Sequence, residues 1–103
     1  MNCSRNDVVL LPIPFTNLTS RKVRPAIVVG GKDSDLFLVP ISSVLANTDF
    51  QLKEWRAAGL NVPSGVKAQL ATVEERLVVK TVGQLGGNDA KVLNAKLRER
   101  LQL

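Results

Sequence analysis

The chain contains no histidine and no tyrosine, and it has a single cysteine, Cys3. Each absence removes a class of chemistry. Without histidine there is no Ser-His-Asp triad, no paired-histidine ribonuclease machinery and no histidine-ligated zinc. One cysteine makes neither an intramolecular disulfide nor a structural zinc site, which fits a reducing compartment. Cys3 reads as a bystander near the N-terminus. No apolar run approaches the ~18 residues of a membrane-spanning helix, and the opening MNCSRNDVV has no signal-like apolar stretch. The expected location is therefore the cytoplasm, with no membrane contact. No GxxxxGK[ST] phosphate loop occurs, because GQLGG at 83–87 lacks the lysine and the spacing. Aromatic residues are scarce: Phe15, Phe37, Phe50 and Trp55.

What remains describes one domain, residues 1–103. A chain of this size buries roughly 60–70% of the surface its unfolded form exposes, enough for a single core. Its 45% hydrophobic and 22% charged content argue against disorder. The formal charge is +5 and the pI about 9.9, which favours an anionic partner. Residues 1–32 carry net +4, residues 33–66 net −2 and residues 67–103 net +3. The positive field thus comes from the two ends of the chain.

DVVLLPIPF (7–15) is rich in β-formers but punctuated by Pro12 and Pro14, which predicts an edge strand or the end of one. TNLTSRK (16–22) is a polar loop. PAIVVG (25–30) is apolar on both faces, hence a central strand. GKDSD (31–35) is a turn, and LFLVPI (36–41) the returning strand of a hairpin. That returning strand is also apolar on both faces, with Phe37 alternating into the core. One face can fill a small barrel, and the other must meet a helix or another subunit. KEWRAAGL (53–60) predicts one or two helical turns ending at Gly59. Residues 66–85 read as two or three short strands. Gly86, Gly87 or Asn88 caps a closing helix whose stripe is Ala90, Leu93, Leu97 and Leu101, with Lys91, Lys96, Arg98 and Arg100 largely off it. The class is mainly β (α+β): a small, curved, antiparallel barrel of about five to seven strands with a short inserted helix and a C-terminal helix.

The Arg24-Pro25 step is the first candidate site. Proline forces Arg24 into extended geometry at the head of a buried strand. An arginine stays charged at any workable pH and presents a planar fork suited to phosphate. If the hairpin forms, Arg24 lies near Ser42 and Ser43 at one rim, and a guanidinium beside two hydroxyls is a phosphate site. The plainer readings are a gatekeeper cation before an apolar strand and a strand-end turn or cap for the serines.

DVVLLPIPFTNLTSRKVRPAIVVG, LFLVPIS, EWRAAGL…VPSGVKA and ERLVVKTVGQL, followed by a closing helix, together resemble the MazF/PemK toxins over residues 6–101. The resemblance implies an SH3-like barrel that forms a homodimer. It implies a sequence-specific, metal-independent endoribonuclease that cuts single-stranded RNA, chiefly mRNA, without a cofactor. It also implies inhibition by a cognate, MazE-like antitoxin with an acidic tail. The family's catalytic arginine falls on Arg24, and its catalytic threonine on Ser42. Asn6 replaces the family's usual glycine, the loop ahead of Arg24 is short, and the histidine some relatives use is absent.

The implied chemistry is attack of a ribose 2′-hydroxyl on the adjacent phosphate, giving a 2′,3′-cyclic phosphate (or its 3′-phosphate) and a 5′-hydroxyl. Asp7, Glu74 and Glu75 are the acids weighed as general base, and none is well placed in the sequence. Arg21, Lys22, Lys67 and Lys80 are candidates for backbone phosphates, Ser43 for a phosphoryl oxygen, and Phe15 with Thr16 for a base beside the loop. Trp55 reads as packing. An acidic antitoxin tail would compete for the same basic groove. A homodimer would bury the second face of 36–41 or the leucine stripe of the helix. Two other readings compete: a toxin of the same fold that poisons DNA gyrase, and a catalytically silent SH3-like binding module.

Overall fold

The computed structural model describes residues 3–12 and 22–103. Phe15, Thr16 and Arg21 lie outside the described residues. Seven strands form one antiparallel sheet: β1 (Asp7–Pro12), β2 (Val23–Lys32), β3 (Asp35–Ser42), β4 (Phe50–Gln51), β5 (Gly65–Val66), β6 (Ala71–Glu74) and β7 (Lys80–Gln84). The order is β4-β5-β3-β2-β1-β7, with β6 also pairing β3. The outer edge of β3 is shared: Asp35 to Leu38 pair with β6, and Ile41 and Ser42 with β5. Among the described residues the end strands β4 and β7 do not pair, so the expected barrel is open.

β1 corrects one expectation. It is not an edge strand, since β2 lies on one side and β7 on the other. Pro12 is its last described residue and still lies opposite Val23.

The β2–β3 hairpin closes through a two-residue turn between Lys32 and Asp35, where Asp33 takes a left-handed φ of 58°, a conformation aspartate tolerates. The pairing then shifts by one residue between Val28 and Gly30. Val29 is the extra residue of a β-bulge, and everything beyond it is re-aimed.

Because β1, β2 and β3 are apolar on both faces, the sheet carries a core on each side. Val9, Leu11, Ala26, Val28, Leu36 and Leu38 fill the cluster on one face. Val8, Ile27, Val39 and Ile41 meet Leu93 and Leu97 on the other. Those two leucines come from α1 (Gly87–Leu101), capped by Gly86 and terminated by Gln102 at φ 58°. The helix therefore covers the second face of β3 within the same chain. Leu101 at the helix end stays exposed. Phe37, expected in the core, is only half-buried and belongs to neither cluster. The bulge next to its partner Gly30 accounts for this, since it breaks the alternation there.

Residues 53–60 give a single helical turn, with Ala58 N–H donating to the Glu54 carbonyl at 3.1 Å, followed by a tighter bond from Gly59 to Arg56 and a wider one from Leu60 to Trp55. Gly59 ends it at φ 91°, and a Cβ there would lie 2.3 Å from the Val82 carbonyl oxygen. This turn and β7 thus touch backbone to backbone. Cys3 packs at the margin of the core that Val9 and Leu11 help to fill. Burial first, then the carboxylates of Glu75 and Asp7, push its thiol up, which fits an inert cysteine. No helix of the described residues is long and apolar enough to cross a membrane.

Candidate functional site

The bulge decides which serine meets Arg24. In the register next to the turn, Gly30 pairs with Phe37, and that count carried forward would set Arg24 across from Ser43. After the bulge Ala26 pairs with Pro40, and two further residues along the same register put Arg24 across from Ser42. Residues directly opposite in an antiparallel pair share a face. Extended to this rim, the register would set Arg24 opposite Ser42, and both residues line the same cleft.

That rim opens into a cleft of about 1110 Å³. Six residues singled out in the sequence line it: Lys22, Arg24, Ser42, Ser43, Lys67 and Lys80. They come from the start of β2 and the residue before it, from the end of β3 and the residue after it, from the turn after β5 and from the start of β7. No aspartate or glutamate of the described residues lines it. Four cations around a cavity with no acid create a positive potential, focused by the low-dielectric walls.

Arg24 is exposed. Ser42 is half-buried, and its Oγ accepts the Val44 N–H at 3.0 Å. The plainer reading of Ser42 as a strand-end turn is thus also true. The bond occupies one lone pair and orients the oxygen, while the hydroxyl hydrogen stays available to donate.

The acids weighed as general base are elsewhere. Asp7 is buried and accepts the Ser4 N–H at 2.8 Å and the Gln84 amide at 2.9 Å, which pins the N-terminal turn to β7. Glu74 pairs with Arg76 on the surface. Glu75 lies beside a smaller hollow with Cys3 and Arg5. Trp55 packs against the helix-side core and carries Arg56 4.9 Å above its ring, so it is packing, as expected.

The far wall of the cleft escaped the sequence reading. It consists of residues 59–62 with Ser64 and Gln69. Two buried or half-buried carboxylates hold it. Asp89, 1% exposed in the first turn of α1, accepts the backbone N–H of Lys53 at 3.0 Å and of Glu54 at 2.9 Å. Asp49 accepts the Ala68 N–H at 2.7 Å and pairs with Arg100 of α1. In the sequence, Asp89 looks like an acid favoured by the helix dipole, and nothing local to it points to a partner 36 residues away.

The Ala68 N–H, and then Arg100, hold the Asp49 carboxyl below the usual carboxylate range. A depressed folded-state value means that this group stabilises the fold above the value of a free aspartate, about pH 4. The stabilisation is lost as pH falls through the lower folded value. Asp49→Ala should lower stability at neutral pH by about 1–3 kcal/mol, since it strands a partly buried N–H. The gap to the wild type should narrow below about pH 4 in denaturant melts. A gap that stays constant down to pH 2 contradicts this assignment.

The sequence matches the PemK-like, MazF-like toxin of type II toxin-antitoxin systems over residues 4–101. The chain belongs to this family. Solved structures agree with the fold of a PemK-like, MazF-like toxin. The Mycobacterium tuberculosis toxin MazF-mt6 superposes with a TM-score of 0.75 at 16% identity, over 94% of this chain and 97% of that one. An endoribonuclease from a mycobacterial species gives 0.72 at 15% identity, over 100% of this chain and 95% of that one. No curated protein matches the sequence significantly. Within the toxin fold, the cationic cleft lies where β2, β3 and β7 present their ends to one side of the sheet.

Proposed function

We propose that this toxin is an endoribonuclease that cleaves single-stranded RNA in the cleft between Arg24 and Lys67. The observation that supports it is the pairing, at one rim of a cleft without acids, of an exposed arginine with a pre-oriented hydroxyl. A ribose 2′-oxygen attacks the neighbouring phosphorus and the bond from phosphorus to the 5′-oxygen breaks. The 2′-hydroxyl loses its proton and the departing 5′-oxygen gains one. The products are a 2′,3′-cyclic phosphate and a 5′-hydroxyl.

Charge builds on the non-bridging oxygens in the transition state. Arg24 stabilises it there with two parallel donors, and Ser42 donates its hydroxyl hydrogen to a phosphoryl oxygen. No lining residue is a carboxylate or an imidazole, so the rate derives from alignment and electrostatics rather than from a side-chain base. The same donor set offers no carboxylate to a divalent ion, and the reaction proposed needs none. Lys22, Lys67 and Lys80 hold the flanking phosphates. An acidic antitoxin segment, competing for these cations, is the inhibitor this surface fits.

The test is incubation of the purified protein with a long single-stranded RNA in EDTA, with mapping of the new ends. Discrete cuts with 5′-hydroxyl ends are expected. No cut in any RNA, together with inhibition of gyrase, removes the ribonuclease reading. RNA affinity should fall with salt, with a log–log slope of about −3 for the four cations, at ~0.7 per phosphate contact on a single strand. Lys80→Ala should reduce that slope by about 0.7. A slope near zero shows that the cations do not meet the backbone.

A further inference from the structure

The cations account for holding the strand but not for choosing where it is cut, because phosphates are the same at every step. Discrimination needs groups that can tell base edges apart. The uncharged far wall supplies them. Asn61 and Gln69 are exposed carboxamides lining the cleft, and the side chain of neither has a polar partner among the described residues.

Both stand on fixed backbone. Asn61 sits between two anchored neighbours, since Leu60 N–H donates to the Trp55 carbonyl at 3.1 Å and the Val62 carbonyl accepts from Ser64 Oγ at 2.9 Å. Gln69 donates its own N–H to the Lys67 carbonyl at 2.8 Å and follows Ala68, which is bonded to Asp49. Beside them Val44 and Val62 line the cleft at 56% and 49% exposure, an apolar surface on which the flat face of a base can rest. A carboxamide presents a donor and an acceptor side by side, the pattern that pairs with adenine through two bonds. In single-stranded RNA the bases are unstacked and their edges free to be read in this way.

We propose that Asn61 and Gln69 are specificity-determining residues that read base edges in the cleft. This rests on the ribonuclease reading above. The wall, rather than the cationic side, sets which sequence is cut, and each carboxamide governs one position of the motif.

The experiment maps cut sites on a long RNA of mixed sequence for the wild type, Asn61→Ala and Gln69→Ala, and aligns the sequences around the cuts. Each variant should relax the base preference at one position, on the order of tenfold, the two at different positions, with 5′-hydroxyl ends unchanged. A purely structural role for either residue would lower the rate without moving the motif. Cleavage by both variants at the wild-type motif overturns the proposal and leaves the nuclease intact. So does an unmoved motif accompanied by weaker binding of an acidic peptide, which gives the wall to a protein partner. A wild type that cuts no RNA overturns this proposal together with the ribonuclease reading.

Discussion

Arg24→Ala should abolish most RNA cleavage while leaving the fold unchanged. Removing one oriented donor from a developing oxyanion costs ~10²–10³ in rate, about 3–4 kcal/mol. Here the donor also carries the charge, so the upper end of that range is expected. The Arg24 side chain is exposed and makes no hydrogen bond or ion pair among the described residues. A thermal melt of the variant should therefore overlay that of the wild type. Arg24→Lys separates charge from geometry. It keeps the cation but loses the planar fork, so affinity for RNA should persist while the cleavage step stays slow. Ser42→Ala should cost less than Arg24→Ala, because it removes a neutral donor. Single-turnover cleavage at saturating protein measures all three. An Arg24→Ala variant that cuts at the wild-type rate places the chemistry on other residues.

That Arg24 and Ser42 line one cleft is legible in the sequence, because it depends on counting along a hairpin with a short turn. It was legible partly by cancellation. The turn lies between Lys32 and Asp35, half a residue away from the centre of the predicted 31–35 turn, and the bulge at Val29 restores the offset. Nothing in GKDSD or PAIVVG announces a bulge, although two adjacent glycines, Gly30 and Gly31, allow one. The closing helix was legible for a different reason. Leu93 and Leu97 repeat at the helical period, and both are buried. Their partners Val39 and Ile41 belong to a strand apolar on both faces, whose second face calls for a cover that either a helix or a subunit can give. Periodicity shows that a face is buried and not what buries it. The far wall of the cleft was opaque because its supports are long-range. Asp89 reaches back to residue 53, and Asp49 forward to Ala68 and Arg100. A loop such as NVPSG, read locally, only announces turns.

Asp89→Ala tests the more costly of those supports. The carboxylate is 1% exposed and its two oxygens accept two backbone N–H groups, at 3.0 and 2.9 Å. Truncation leaves both donors short of a partner and opens space beneath the helix. Each stranded donor costs about 1–3 kcal/mol. Relief from keeping a buried carboxylate dehydrated offsets part of this, so the net loss expected is about 2–4 kcal/mol. For a domain of this size that corresponds to a fall in Tm of roughly 10–25 °C. Asp89→Asn should lose about half as much, because its carboxamide oxygen still accepts one bond while its NH₂ faces the second donor. The functional consequence follows from what those donors carry. Lys53 and Glu54 begin the turn whose far end, residues 59–62, is the cleft wall, and Arg24 stands on a different element. Asp89→Asn, assayed well below its Tm, should therefore loosen the choice of cut site more than it slows cleavage at the best site. Equal loss of rate at every site, with the motif intact, limits Asp89 to stability and separates the wall it supports from the reading of RNA.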